Sequence, residues 1–165
     1  MPSSYSFDVV SEFDQQELVN AIDQLRREVD QRYDLKDSKT KIDIKEDELS
    51  IVSLSDMTIE SVKDILLQKA TKRNLSLKIF DFQKIETIGG NMVMQIVKLR
   101  KGLSQEISKK LSKLVRDNMK KVTASIQGDS LRITGKNKDD LQSAINLIKT
   151  QEEELDIALQ FQNYR

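Results

Sequence analysis

This chain resembles itself, and that likeness narrows its possible folds more than anything else in it. At the offset that places Leu49 on Leu131, Leu49-Ser-Ile-Val-Ser aligns with Leu131-Arg-Ile-Thr-Gly. Upstream, Ile42 and Ile44 align with Ala124 and Ile126, and Leu25 and Val29 with Ile107 and Leu111. Downstream, Ile59, Val62, Ile65 and Leu66 align with Leu141, Ala144, Leu147 and Ile148, all without a gap. Few letters are shared; what repeats is the apolar spacing, with a period of two in short runs and a helical period between them. A register kept through four elements marks an internal duplication.

Each half reads as strand, helix, strand, turn, strand, helix, strand. In the first half Tyr5–Glu12 alternates as a strand. A helix starts at Asp14, with Glu17 at capping-box spacing, and carries Leu18, Ala21, Ile22, Leu25 and Val29. Lys41–Lys45 and Leu49–Leu54 form a hairpin, a second helix carries Ile59 to Ala70, and a strand over Leu75–Ile88 closes the half. Gly89-Gly90-Asn91 is the turn between halves. The second half runs from a strand at Met92–Arg100 through a helix capped by Ser104 to a hairpin of Val122–Ile126 and Leu131–Thr134. A helix after Asn137 and a strand over Asp156–Tyr164 follow. The order βαββαβ is that of the ferredoxin-like, or RNA-recognition-like, plait, so the fold class is α+β with two such plaits. Each sheet is covered by helices on one face and free on the other, and a free face is a place to bind something.

Composition limits what that face can do. The chain has no Cys and no His, which removes disulfides, thiolate chemistry, the Ser-His-Asp triad and the usual zinc sites. No Walker loop, GxGxxG or metal-ligand cluster is present. Glu152-Glu153-Glu154 with Asp156 reads as a solvated helix end rather than a cation site. No metal, no cofactor and no catalytic residue is expected. The start, Met-Pro-Ser-Ser-Tyr-Ser, has no basic region before an apolar run, and no apolar stretch reaches the ~20 residues of a membrane span. The expectation is a cytoplasmic protein with no membrane partner.

Net charge is zero, but residues 1–82 hold 12 Lys/Arg against 17 Asp/Glu, and residues 83–165 hold 15 against 10. Lys98 to Lys138 carries 12 Lys/Arg against Glu106, Asp117 and Asp129 alone. Such asymmetry is either the footprint of a polyanionic partner or a solubility device. Its centre is a helix over Ser104–Lys121. Ile107, Leu111, Leu114 and Val115 share one side, with Lys109, Lys113, Arg116 and Lys120 opposite and Lys110 and Lys121 nearby. The following hairpin turns Thr123, Ser125, Gln127, Arg132 and Thr134 to the free face, with Lys136 and Lys138 just beyond. Hydroxyls and cations of this kind suit phosphate. A plain solvated face is the competing reading. Neither hairpin holds an aromatic, so base stacking as in a typical RNA-recognition module is not expected there. Phe7, Phe161 and Tyr164 on the terminal strands read as packing.

Several stretches resemble one known family. Phe7-Asp-Val-Val-Ser-Glu12 with Glu17 and Asn20-Ala21 is similar to the opening of the YajQ-like bacterial nucleotide-binding proteins. So are Ser125-Ile-Gln-Gly-Asp-Ser-Leu-Arg-Ile-Thr-Gly-Lys136 with Asp139-Asp-Leu-Gln142, and the ending Phe161-Gln-Asn-Tyr-Arg165. Arg32-Tyr-Asp34 and Lys101-Gly102 fit as well, whereas extra residues follow Met1-Pro2-Ser3 and Asn137 departs from the pattern. The resemblance implies two plaits with exchanged N-terminal strands: residues 14–101, with Met92–Arg100 as the exchanged strand, and residues 1–13 plus 102–165. It also implies nucleotide or RNA binding, and for some members a cyclic di-GMP effector role alongside a transcription regulator. Three functions stay open at this point. The first is a non-enzymatic binder holding phosphates on Lys109, Lys110, Lys113, Arg116, Lys120, Lys121, Arg132, Lys136 and Lys138. The second is a cyclic di-GMP effector, and the third a protein-interaction adaptor.

Overall fold

Residues 4–165 are described by a computed structural model; Met1-Pro2-Ser3, and the readings made of that start, lie outside the described residues. The strands are β1 (Tyr5–Val10), β2 (Lys41–Ile44), β3 (Glu48–Ser53), β4 (Phe80–Phe82), β5 (Glu86–Ile88), β6 (Met92–Leu99), β7 (Val122–Gln127), β8 (Ser130–Gly135) and β9 (Gln160–Gln162). The helices are α1 (Gln15–Gln31), α2 (Asp56–Lys72), α3 (Gln105–Asn118), α4 (Lys138–Lys149) and α5 (Gln151–Leu155), with a single 3-10 turn over Leu77–Ile79. The result is a mixed α+β fold with two sheets, divided into a contiguous unit, Phe13–Arg100, and a split unit made of the N-terminal residues through Glu12 together with Lys101–Arg165.

In the contiguous unit the sheet order is β2-β3-β6-β4, with β5 also paired to β6. Leu49, Ile51 and Val97 alternate onto one face and meet Leu18, Ile22 and Leu25 of α1 and Ile59, Val62 and Leu66 of α2, all fully buried in one cluster. Each such aliphatic side chain contributes about 1.5–3 kcal/mol, which outweighs the weak intrinsic preference of so short a strand as β2. Asp14 caps α1 by accepting from the backbone N–H groups of Gln16 and Glu17. The reciprocal half of the capping box is missing: the Glu17 carboxylate accepts from the Asn20 side chain instead. A complete box occurs at α2, where Ser55 accepts from Thr58 N–H and Thr58 Oγ1 accepts from Ser55 N–H.

The strand expected over Leu75–Ile88 is broken. Phe82 pairs with Val97 and Glu86 with Met94, so three residues oppose two. The extra residue makes a bulge, held by Gln83 N–H donating to Ile96 O at 2.9 Å and by Gln95 Nε2 donating to Gln83 O at 2.8 Å. Gly89-Gly90-Asn91 is not a boundary between units. It is the tip of the β5–β6 hairpin, inside the contiguous unit, with Gly90 and Asn91 both at positive φ.

In the split unit the order is β7-β8-β1-β9. The N-terminal strand β1 lies between β8 and β9, pairing Phe7 with Ile133 and Val9 with both Leu131 and Phe161. Phe7, Val9, Leu131 and Ile133 face Leu111 and Val115 of α3 and Leu141, Ala144 and Ile148 of α4 in a second core. The β7–β8 turn is the two residues Gly128-Asp129, with positive φ at Gly128, which suits a tight hairpin. Gly102 sits at φ +82° where a Cβ would come within 2.9 Å of the Asp129 carboxylate. It can therefore only be glycine if Leu103 N–H is to reach Asp129 O at 2.8 Å. The terminal strand is shorter than expected: α5 occupies Gln151–Leu155 and Asp156 turns left-handed before β9. Counted by unit, charge nearly cancels. Phe13–Arg100 holds 15 Lys/Arg against 16 Asp/Glu, and the rest of the chain holds 12 against 11. The asymmetry read from sequence halves is a local patch, not a property of either unit.

Candidate binding surface of the split unit

Ser104 starts α3 by accepting from Ile107 N–H at 3.1 Å. The helix ends at Asn118, short of the expected Lys121. Asn118 Nδ2 donates to Leu114 O at 2.8 Å, and Met119 turns extended. Lys120 and Lys121 thus leave the helix, and the basic residues separate into four places.

Lys109, Lys113 and Arg116 stand exposed on α3, and Lys120 is exposed beyond its end. Among the described residues none of these four makes an ion pair, whereas Lys110 lies 3.4 Å from Glu106 in an exposed i,i+4 pair worth little. Lys110 and Lys113 share a groove between α3 and α5 with Asp117 and Glu154, so that end of the stripe is of mixed sign.

Lys121 and Lys136 converge. Together with Ser4, Thr123, Thr134 and Asn137 they line a groove of 530 Å³ at one end of the sheet, with Asp140 as its single carboxylate. Thr123 and Thr134 are cross-strand partners in the β7–β8 ladder, which puts two hydroxyls side by side on the free face. Asn137 caps α4 by accepting from Asp139 N–H at 2.9 Å. Lys138, the next residue, lines a neighbouring groove of 440 Å³ with Tyr5, Leu141, Ile145, Tyr164 and Arg165.

Arg132 is elsewhere. On the free face it donates from Nε to Asp8 Oδ1 at 2.9 Å and from Nη2 to Oδ2 at 3.4 Å, and Asn163 Nδ2 donates to the same carboxylate at 2.9 Å. The Arg132 hydrogen bond, with help from Asn163 and against burial, holds the Asp8 carboxyl below its ordinary value of 3.8. Asp8 thus ties β1 to β8 and engages two of the five N–H donors of Arg132, whose side chain stays partly exposed. The rows Thr123–Thr134–Ser6 and Ser125–Arg132–Asp8–Gln162 run across this face, polar throughout.

Sequence reasoning placed Tyr5 in the first strand and read Tyr164 as packing, so it assigned neither of the two tyrosines beside Lys138 to a site. Phe7 is fully buried and Phe161 half-buried, as packing residues are, but Tyr164 is 64% exposed at 6.1 Å from the Phe7 ring. Lys138 Nζ stands 5.1 Å from the centroid of the Tyr5 ring. The signal available in the sequence was the Tyr5–Lys138 pair at matching ends of a strand and a helix, which only the β1–β8 pairing brings together. Among the described residues no group of three or more acidic side chains converges to hold a metal ion, and no helix is long and apolar enough to cross a membrane.

These elements build an α+β protein of two units, one of which carries an open groove bordered by two lysines and two threonines. The chain belongs to the YajQ-like nucleotide-binding protein family, whose model matches residues 5–165. It is 98% identical to a protein of Prochlorococcus marinus strain NATL1A, 70% identical to one of Synechococcus sp. strain CC9605 and 56% identical to one of Synechococcus sp. strain JA-3-3Ab. In each case all of both chains is covered, and each relative bears the name nucleotide-binding protein.

Proposed function

We propose that this chain is a non-enzymatic nucleotide-binding protein of the cytoplasm that holds phosphate in the Lys121–Lys136 groove. The observation that carries the reading is that Lys121, Lys136, Thr123 and Thr134 border one open groove of 530 Å³. That volume is the size of a small-molecule site. Charge-assisted hydrogen bonds from Lys121 and Lys136, joined by the Thr123 and Thr134 hydroxyls, satisfy a phosphate from several sides. Lys138 borders the site, and the exposed cations Lys109, Lys113, Arg116 and Lys120 extend the positive surface along α3 for a longer polyanion such as RNA. Arg132 acts by fixing the face rather than by touching ligand. A chain without His or Cys lacks the groups that most often carry acid–base or nucleophilic chemistry.

The same reading takes the two units as copies of one βαββαβ plait that have exchanged N-terminal strands. In its support, one offset carries Glu48–Ser53 of β3 onto Ser130–Gly135 of β8 and the first residue of α2, Asp56, onto the first residue of α4, Lys138. Titration calorimetry with AMP and GMP, and fluorescence anisotropy with a labelled RNA at several salt concentrations, test the function. Lys121→Glu with Lys136→Glu is expected to weaken mononucleotide binding at least tenfold. Lys113→Glu with Arg116→Glu should spare mononucleotides and lower the RNA salt slope by about 0.7 per lost phosphate contact. Salt-insensitive binding, or an unchanged affinity in the first variant, overturns it.

A second reading, an effector of a cyclic dinucleotide acting with a transcription regulator, draws on the two neighbouring grooves, which together offer room for a compact ligand with two bases. Saturable one-to-one binding of cyclic di-GMP with no dependence on RNA length would favour it.

A further inference from the structure

The 440 Å³ groove beside α4 is lined by other side chains than the phosphate groove next to it. Leu141 and Ile145 form an apolar wall, two tyrosine rings flank it, and Lys138 and Arg165 bring the cations. Tyr164 leaves 64% of its surface in water, unusual for an aromatic that also touches a core residue. Backbone pairing fixes its neighbourhood: Arg165 N–H donates to Ser6 O at 3.0 Å, and Ser6 N–H donates to Arg165 O at 3.2 Å. The two rings are therefore held by one stretch of paired backbone rather than by a loose tail.

Residues adjacent in the chain line the two grooves. Ser4 lines the phosphate groove and Tyr5 the aromatic one; Asn137 lines the first and Lys138 the second; Asp140 lines the first and Leu141 the second. At three points a single step along the chain, about 3.8 Å between successive Cα atoms, separates them.

We infer that the Tyr5–Tyr164 groove is the nucleobase subsite, taking a base by stacking while its phosphate lies on Lys121 and Lys136. The assignment rests on the nucleotide-binding reading above and adds to it where the base goes. Stacking on aromatic faces tolerates any base, and apolar packing against Leu141 and Ile145 favours the larger purines. The Lys138 ammonium, now over the Tyr5 ring, lines the base groove one residue after Asn137 of the phosphate groove.

The protein supplies its own probe. It has no Trp and three tyrosines, of which Tyr33 lies in the contiguous unit and the other two in this groove. In a Tyr33→Phe background, AMP and GMP are expected to quench tyrosine fluorescence on saturation, both binding more tightly than UMP, while ribose 5-phosphate quenches nothing. Tyr164→Ala, a change at an exposed side chain, should weaken AMP about tenfold by calorimetry and leave inorganic phosphate binding unchanged; Tyr164→Phe should restore AMP affinity. AMP that binds without quenching and with equal affinity to the Tyr164→Ala protein would overturn the base subsite and leave nucleotide binding intact. A protein that binds none of AMP, GMP and UMP would overturn both.

Discussion

The two units use the same elements to opposite ends. On α1 the charges Glu17, Asp23, Arg26 and Glu28 are tied down, while Arg27 and Asp30 stand exposed. Arg26 donates from Nε to Ile42 O at 3.0 Å and pairs with Asp23, Glu17 lies 3.6 Å from Arg73, and Glu28 meets Lys69 at 2.9 Å. The Lys69 ammonium, with Arg32 behind it, holds the Glu28 carboxyl below its ordinary value. Along α3 and just past its end, four cations stand without ion pairs among the described residues. The free faces differ too: Val52, Met94 and Ile96 lie on the contiguous unit's, Thr134, Ser125 and Arg132 on the split unit's. Charges paired with one another stabilise locally and are lost to a ligand; charges left in water are available to one. A shared set of elements therefore does not entail a shared site: α1 and α3 occupy like places, and pairing engages more of the charges on the first than on the second.

Three measurements test that contrast. The largest effect is expected from Phe7→Ala. Its ring is fully buried among Ile133, Leu131 and Phe161, so its loss should cost about 3–5 kcal/mol. Hydrogen exchange should accelerate in β8 and α4, which lie far from Phe7 in sequence. Faster exchange in β2 and β3 instead would place β1 with the wrong sheet.

Asp8 gives an intermediate effect with a defined pH signature. Because its folded value is lowered, its stabilisation is fully present above the ordinary value of 3.8 and is lost as pH falls through the lowered value. Asp8→Asn should therefore reduce the melting temperature at pH 7 and flatten the decline below pH 4. A parallel shift at every pH would show that the Arg132 pair contributes nothing to the acid limb. The smallest effect compares caps. Ser104→Ala removes one accepted hydrogen bond at α3, and Ser55→Ala removes the box at α2; each should cost about 1 kcal/mol by denaturant unfolding. A larger loss at Ser104 than at Ser55 would mean that α3 depends more on its cap than α2 does.

Much of this was legible in the residues. The repeat offset fell on β3 and β8 because strict alternation leaves a strand no other register. Asp14, Ser104 and Asn137 were readable as caps because their side chains act within three residues. The helix end at Asn118 was not legible, since Lys120 and Lys121 are as good helix formers as their neighbours and only the sheet edge draws them off. Nor was the bulge at Gln83–Ile85, which fits β4 and β5 onto one partner.

Spacing and residue type along the chain were enough for the element types, the two apolar faces, the absence of His and Cys, and the family. These are local or compositional properties, and they need no knowledge of what lies across the sheet. Which cations remain available was settled in three dimensions. Strand pairing bound Arg132 to Asp8 across 124 residues, set Lys121 against Lys136, and brought Tyr5 beside Tyr164. Such partnerships join distant segments, and neither period nor composition records who pairs with whom.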